Sequence, residues 1–468
     1  MIETKTYHVE EQINQSLKQV NETNNVHLFS VTEQIDDIHM LNVFTHAKQM
    51  DEKRSYWSST DDDFTIVGIG SAYELQATEN HYDALQTEWM ELLDRSFIHN
   101  PYHVSGTGIV ALGGMTFDPK KKPTSLWNTF GVSLLHVPTY SIVQDQGSFY
   151  LTVTCMIDQE TNQADVLTLI DEAEGRIRSL GEKSEPSTQA YMLEKKELGA
   201  EKWLDNVEKA IQFIREDRAK KIVLAREMRI QLSDTVQIGS MLEKLHALQT
   251  NCFIYAFDRG EDCFIGATPE RLVRIEGEEM LSTCLAGTAP RGRTKEEDER
   301  IGSELLHDDK NLEEHAYVVQ MITDAITPYC TDVKLAREPV LRPLKNLQHL
   351  YTPVTATIKN EFHIFDLIKS LHPTPALGGV PSEVALAFMR EHEELDRGWY
   401  GAPIGWLDSN QHGEFAVGIR SALVQDDEVS LFAGCGIMRD SDPQDEFEET
   451  NIKFLPILSV LEDEHDTY

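Results

Sequence analysis

Long apolar runs are missing from this chain. No uninterrupted stretch reaches the ~18 residues that a membrane-spanning helix requires, so no span is expected. Cysteine is sparse and scattered, at Cys155, Cys252, Cys263, Cys284, Cys330 and Cys435, with no CxxC pair. That argues against a zinc ribbon or a small disulfide scaffold and fits a reducing cytoplasm. Positive charge is also short: 42 Lys and Arg face 79 Asp and Glu, for a formal net charge of -37. Nucleic acid and anionic membrane are disfavoured as partners, since both require a basic footprint. An anionic substrate would be repelled by the global field, so its site would have to gather positive charge locally. The first residues carry Glu3, Glu10 and Glu11 and lack a basic flank and an apolar core, which argues against a secretory signal.

What is present suits a large soluble protein. The 468 residues exceed the ~100–200 of a typical domain, and 40% hydrophobic content supports a sizeable core. The polar run at 181–189 is the best candidate seam, dividing an N-terminal region (1–189) from a larger one (190–468). Before it lie strand-like runs at 64–68, 108–112 and 148–154; after it, such runs alternate with long amphipathic helices. Gly68-Ile-Gly70 follows a strand, but the third glycine of a dinucleotide fingerprint would fall at Tyr73, so a tight turn is the better reading. Gly113-Gly114 likewise reads as a turn between strands.

Five segments could carry chemistry. Lys220-Lys221 opens the strand-like run KIVLAR (221–226), which is apolar on both faces. A lysine entering such a strand is either desolvated, which lowers its pKa toward that of a general base, or left at a wet strand end. In 264–273, Gly266 and Pro269 break an apolar strand and set Glu270 at a bend, projecting into a cleft or into solvent. Residues 303–326 read as one amphipathic helix whose polar run, Asp308 to His315, forms an ordinary solvated face. Ser441-Asp442-Pro443 is a helix start, with Asp442 as cap and Pro443 at the first helical position. In the helix that follows, Glu446, Glu449 and Lys453 fall on one stripe, able to hold a hard cation beside an anion. Among so many acids such spacings also arise by chance. The strand-like run 414–420 ends in Arg420, a plausible carboxylate fork.

Taken in order, these segments resemble the chorismate-utilising enzymes, which include isochorismate, salicylate, anthranilate and aminodeoxychorismate synthases. The matching runs are KIVLAR (221–226), GATPERLV (266–273), LAGT (285–288), DKNLEEH (309–315) and QHL (348–350). HPTPALGG (372–379), GEFAVGIRSAL (413–423), AGCGIM (433–438) and SDPQDEFEETNIK (441–453) complete the set. The resemblance covers about 190–460 and implies an α/β fold of the α+β type: two stacked antiparallel sheets with helices outside and a site between the layers. It makes Lys221 the base that activates water and Glu270 the acid that protonates the departing hydroxyl. Glu314 and Glu449, with Glu446 nearby, become ligands of Mg²⁺. Arg420 and Lys453 become partners of the substrate carboxylates, helped by Gly287 and Gly434, while Ala286, Thr288, His349 and Ala376 line the ring pocket.

Within the family, a lysine at 221 favours water over ammonia as nucleophile. Aminodeoxychorismate synthases carry a nucleophilic lysine where this chain has Ala286. The implied activity is therefore Mg²⁺-dependent conversion of chorismate to isochorismate (EC 5.4.4.2), without an obligate glutaminase partner, in a monomer or homodimer. Salicylate synthase, or an isochorismate synthase of siderophore synthesis, is the alternative. The N-terminal extension looks more like the menaquinone-specific type. From other classes, a catalytically dead binding protein would have lost Lys221 or Glu270, and a two-carboxylate glycosidase using Glu270 and Glu449 would leave Lys221 without a role.

Overall fold

The computed structural model describes residues 2–23, 27–50, 53–78, 81–182 and 190–462, with the side chains of 2–9 and 21–23 left out. Two large sheets dominate it, one of thirteen strands and one of ten. All their pairings are antiparallel except that of His27–Ile35 with Phe97–His99. Strands that read as apolar on both faces sit between layers, as burial on two sides demands; Phe64–Ile69 and Phe253–Asp258 are buried at every residue. Between the sheets lies an aromatic interior fed by both, including Trp57, Phe64, Tyr255, Phe264, Trp406 and Phe432. Helices cover the outer faces through two further apolar clusters. Among the described residues no helix is long and apolar enough to cross a membrane.

Residues before the candidate seam add a contiguous block to each sheet. In the larger sheet Arg54–Ser59 pairs with Phe253–Asp258; in the smaller, Val110–Met115 pairs with Pro403–Asp408. The two regions therefore share one interior. Of the seam itself, Gly181 ends the helix Gln163–Gly181, and residues 183–189 lie outside the described set.

Some expectations need correction. Gly113 and Gly114 are not a turn: they lie inside the strand Val110–Met115. A Cβ at Gly113 would sit 2.0 Å from the Leu134 carbonyl oxygen, and one at Gly114 2.8 Å from Ile404, so close strand approach is what requires them. The single helix expected over 303–326 is two, Lys295–Leu306 and Asp309–Ile326. Asp308 breaks it by capping the second helix, accepting from Asn311 N at 2.8 Å, which apolar periodicity alone does not reveal. The strand run expected over 414–420 stops at Val417, leaving Arg420 beyond it with φ 51°. The polar run 308–315 that opens the second helix is not wholly solvated either, because His315 is buried against Ala286 and Thr352.

Candidate active site

The sequence candidates meet at one cavity of about 360 Å³. Lys221, Glu270, Ala286, Gly287, Thr288, Glu314, His349, Ala376, Arg420, Gly434, Glu446, Glu449 and Lys453 all line it. They arrive from separate elements. Lys221 opens the strand Lys221–Leu232, and Glu270 sits in the break between Asp262–Thr268 and Arg271–Glu276. Gly287 forms the bulge in Glu279–Pro290 against Leu347–Ile358, which carries His349. Glu314 projects from Asp309–Ile326, and Glu446, Glu449 and Lys453 from Pro443–Leu461, whose cap Asp442 accepts from Gln444 N and Asp445 N.

The inner part of the cavity is buried, and only some of its polar groups are paired. Lys221 is 8% exposed, so it does not sit at a wet strand end. Its Nζ donates to Glu314 Oε1 at 2.6 Å. Burial pushes the Glu270 carboxyl up to about 7, even though Lys221, Lys453 and Arg420 pull the other way. Burial, then Arg420 and Lys453, push the His349 imidazole down to about 3, so it is neutral at ordinary pH. His349 Nδ1 lies 3.0 Å from Thr288 Oγ1, while its buried Nε2 finds no hydrogen-bond partner among the described residues. Arg420 is buried, which lowers its pKa, and among the described residues no carboxylate forms a salt bridge with it. A buried guanidinium without a salt bridge is costly and invites an anion.

The outer part is a set of carboxylates balanced by lysines. Lys453 Nζ lies 2.5 Å from Glu449 Oε1 and donates to the Gly434 carbonyl at 2.8 Å. Burial tends to raise the Glu449 pKa, but Lys453, then Arg420 and Lys221, bring it below its ordinary value. Burial and the negative charge of Glu449 raise the Glu446 pKa, against the hydrogen bond from Ser441 Oγ at 2.6 Å. Among the described residues no three His, Cys, Asp or Glu side chains converge tightly enough to chelate a metal unaided. Oxygen-only donors, with repulsion between Glu446 and Glu449, nevertheless fit Mg²⁺, which takes one or two carboxylates and fills its shell with water and substrate oxygens.

Sequence reasoning missed several lining residues, among them Asn311, Arg397, Tyr400 and Gly436. Gly436 has a definite task. A Cβ there would lie 2.4 Å from Lys221 Cε and 3.0 Å from Nζ, so its lack of a side chain makes room for the lysine. Its signal was the second glycine of AGCGIM, which the resemblance carries without giving it a task.

Comparison with known proteins agrees with this geometry. Residues 15–462 match the family described as chorismate binding enzyme. Isochorismate synthase MenF of Bacillus subtilis is 38% identical over 455 residues, covering 95% of this chain and 96% of that protein. The salicylate biosynthesis isochorismate synthase of Pseudomonas aeruginosa is 32% identical, covering 93% and 90%. Among solved structures, the menaquinone-specific isochorismate synthase MenF of Escherichia coli shares the fold with a TM-score of 0.78 at 23% identity, over 96% of this chain and 100% of that one. A match running through both sheets and through every strand and helix that lines the cavity leaves no part of the site outside the comparison, and the chain belongs to the chorismate binding enzyme family.

Proposed function

We propose that this protein is an isochorismate synthase, isomerising chorismate to isochorismate. The observation that carries the reading is one cavity in which Lys221 and the protonatable Glu270 accompany an unpaired, buried Arg420. In this reading the Arg420 guanidinium and the Lys453 ammonium take the substrate carboxylates, supplying locally the positive charge that the acidic chain lacks overall. Lys221 takes a proton from water as its oxygen bonds to C2 of the ring. The ring double bonds shift, and the C4 hydroxyl leaves with the proton held by Glu270. Water enters and water departs, so the reaction is an isomerisation. A carboxyl that titrates near 7 still holds its proton in about half of the molecules at neutral pH, which suits a general acid. The neutral His349 offers its free Nε2 to a substrate oxygen.

Glu314 and Glu449, with Glu446 beside them, would hold Mg²⁺. When bound, the ion supplies further positive charge against the dianionic substrate. Water as nucleophile needs no ammonia source, so no glutaminase partner is assigned, and the protein acts as a monomer or homodimer in the cytoplasm. Residues 190–468 form the catalytic region and residues 1–189 complete its sheets. We assign it to menaquinone synthesis, because the whole-length likeness to MenF of Bacillus subtilis supports that role.

Product analysis by NMR, with chorismate and either Mg²⁺ or EDTA, tests the reading. Isochorismate formed only with the metal is the expected result. Salicylate plus pyruvate would keep the site and overturn the product. No reaction in either tube would overturn the enzyme reading in favour of a binding protein.

A further inference from the structure

The strand Lys221–Leu232 has a gap along one flank. On the other flank Glu428–Ile437 runs beside it from Ile222 to Gln231. On the gapped flank Gly379–Val380 covers only Lys221 and Ile222, and Met192–Leu198 begins only at Glu227. Beyond a long bond from Val223 N to the Gly378 carbonyl at 3.5 Å, two buried side chains fill the interval. Ala225 N donates to Glu393 Oε2, and Arg397 Nη2 donates to the Val223 carbonyl, each at 2.9 Å. The two side chains are themselves joined by Nε–Oε1 at 2.6 Å and Nη2–Oε2 at 2.7 Å. Arg397 Nη1 reaches onward to the carbonyl of Leu377, next to Ala376 in the cavity wall, at 3.2 Å.

Replacing a strand neighbour with a buried ion pair is a poor route to stability, because both charges must leave water. What the pair supplies is geometry: a planar fork bonded at once to a carboxylate and two carbonyls. It ties the strand that begins at Lys221 to the loop that carries Ala376. The N-terminal region supports it from behind. The Phe117 ring lies 4.4 Å from the Arg397 guanidinium, and Phe117 N donates to the Gly398 carbonyl at 2.7 Å. Asp118 takes two hydrogen bonds from Arg390, at 2.6 and 3.0 Å.

We propose that Glu393 and Arg397 are positioning residues, a side-chain clamp that substitutes for the missing strand and sets Lys221 against the ring pocket, with residues 117–118 as its support. The proposal rests on the isochorismate synthase reading above. Its test uses the full chain with Arg397→Lys, which keeps the charge but cannot serve Glu393, Val223 and Leu377 together. The expected result is a kcat about a hundredfold lower, with KM within about threefold of wild type, since small misplacements of catalytic groups cost rates of that order. Faster amide exchange at Ala225 should accompany it in Glu393→Ala. A folded Arg397→Lys with kcat within about twofold of wild type overturns the clamp. Should Arg397→Lys not fold, Asp118→Asn, outside the cavity, decides: a kcat lower by about fivefold supports the clamp and an unchanged one overturns it. Wild-type protein that makes no isochorismate would instead sink the functional reading, and the clamp with it.

Discussion

Two cavities flank the strand Lys221–Leu232, and the larger is the quieter. It measures about 560 Å³ and is lined by Lys202, Arg229, Glu227, Glu394 and Glu428, among others. Its charges answer one another: Arg229 lies 2.7 Å from Glu227 and 3.4 Å from Glu428, and Lys202 pairs with Glu394. The smaller cavity, about 360 Å³, keeps Arg420 without a salt bridge and His349 with a free nitrogen among the described residues, and holds Glu270 displaced toward neutrality. Volume follows from how surfaces happen to meet, whereas unpaired buried charge is expensive and persists where a ligand or a reaction uses it. Glu393 lines the large cavity and Arg397 the small one, so the ion pair between them is the partition.

The sharpest test of the contrast is Lys221→Ala. Turnover should fall by about 10³–10⁴, the upper range for loss of a positioned base, while Mg²⁺-dependent chorismate binding survives. Single-turnover product analysis beside a calorimetric titration separates the two, and wild-type-like turnover would remove Lys221 from the chemistry. Glu270→Gln should cost turnover by a comparable factor and should also leave a mark on stability. The folded carboxyl titrates near 7 against an ordinary 4.5. Between those values the folded chain keeps a proton that the unfolded chain has released, so wild-type stability falls as pH rises through the window, then levels off. The shift is worth roughly 3 kcal/mol. Relative to wild type, Glu270→Gln should therefore gain about that much between pH 4.5 and 7.5, as read by denaturant unfolding. A constant difference would mean that Glu270 is not desolvated.

The carboxylate end should respond more gently. Glu449→Ala should move the Mg²⁺ saturation curve to higher concentration by at least the ~10–100-fold that loss of an outer-shell partner costs. An unmoved curve would make the stripe on Pro443–Leu461 a solvated face, as its spacing alone allowed.

The parts of the site legible in sequence were those with local signals. Pro269 announced the break that holds Glu270, and Asp442-Pro443 announced the helix whose stripe carries Glu446, Glu449 and Lys453. Whether Lys221 was buried or wet could not be read locally, because its environment comes from Asp309–Ile326 and Gly436, far along the chain. Glu393 and Arg397 stand in no motif that the sequence singled out. Their task depends on where two distant strands stop, a fact of the sheet and not of the sequence around them. The resemblance carried the assembly that spacing alone could not. The N-terminal strands were partly legible from apolar runs, but their joining both sheets was not, since strand partners lie some two to three hundred positions away.

The smallest expected effect tests the comparison from its quiet side. Arg229→Ala removes the cation at the centre of the large cavity's ion pairs. Arg229 and Glu428 are each about a third exposed, and that pair contributes roughly 0–1 kcal/mol. Glu227 is nearly buried, so the loss of stability should come chiefly from the Glu227 carboxylate left without its cation. Turnover should stay within about twofold of wild type, because none of the groups that Arg229 contacts reaches the smaller cavity. A large loss of turnover with stability unchanged would mean that the partition transmits what happens on its far side. The two cavities would then have to be treated as one functional unit, and paired charge would no longer mark the inert one.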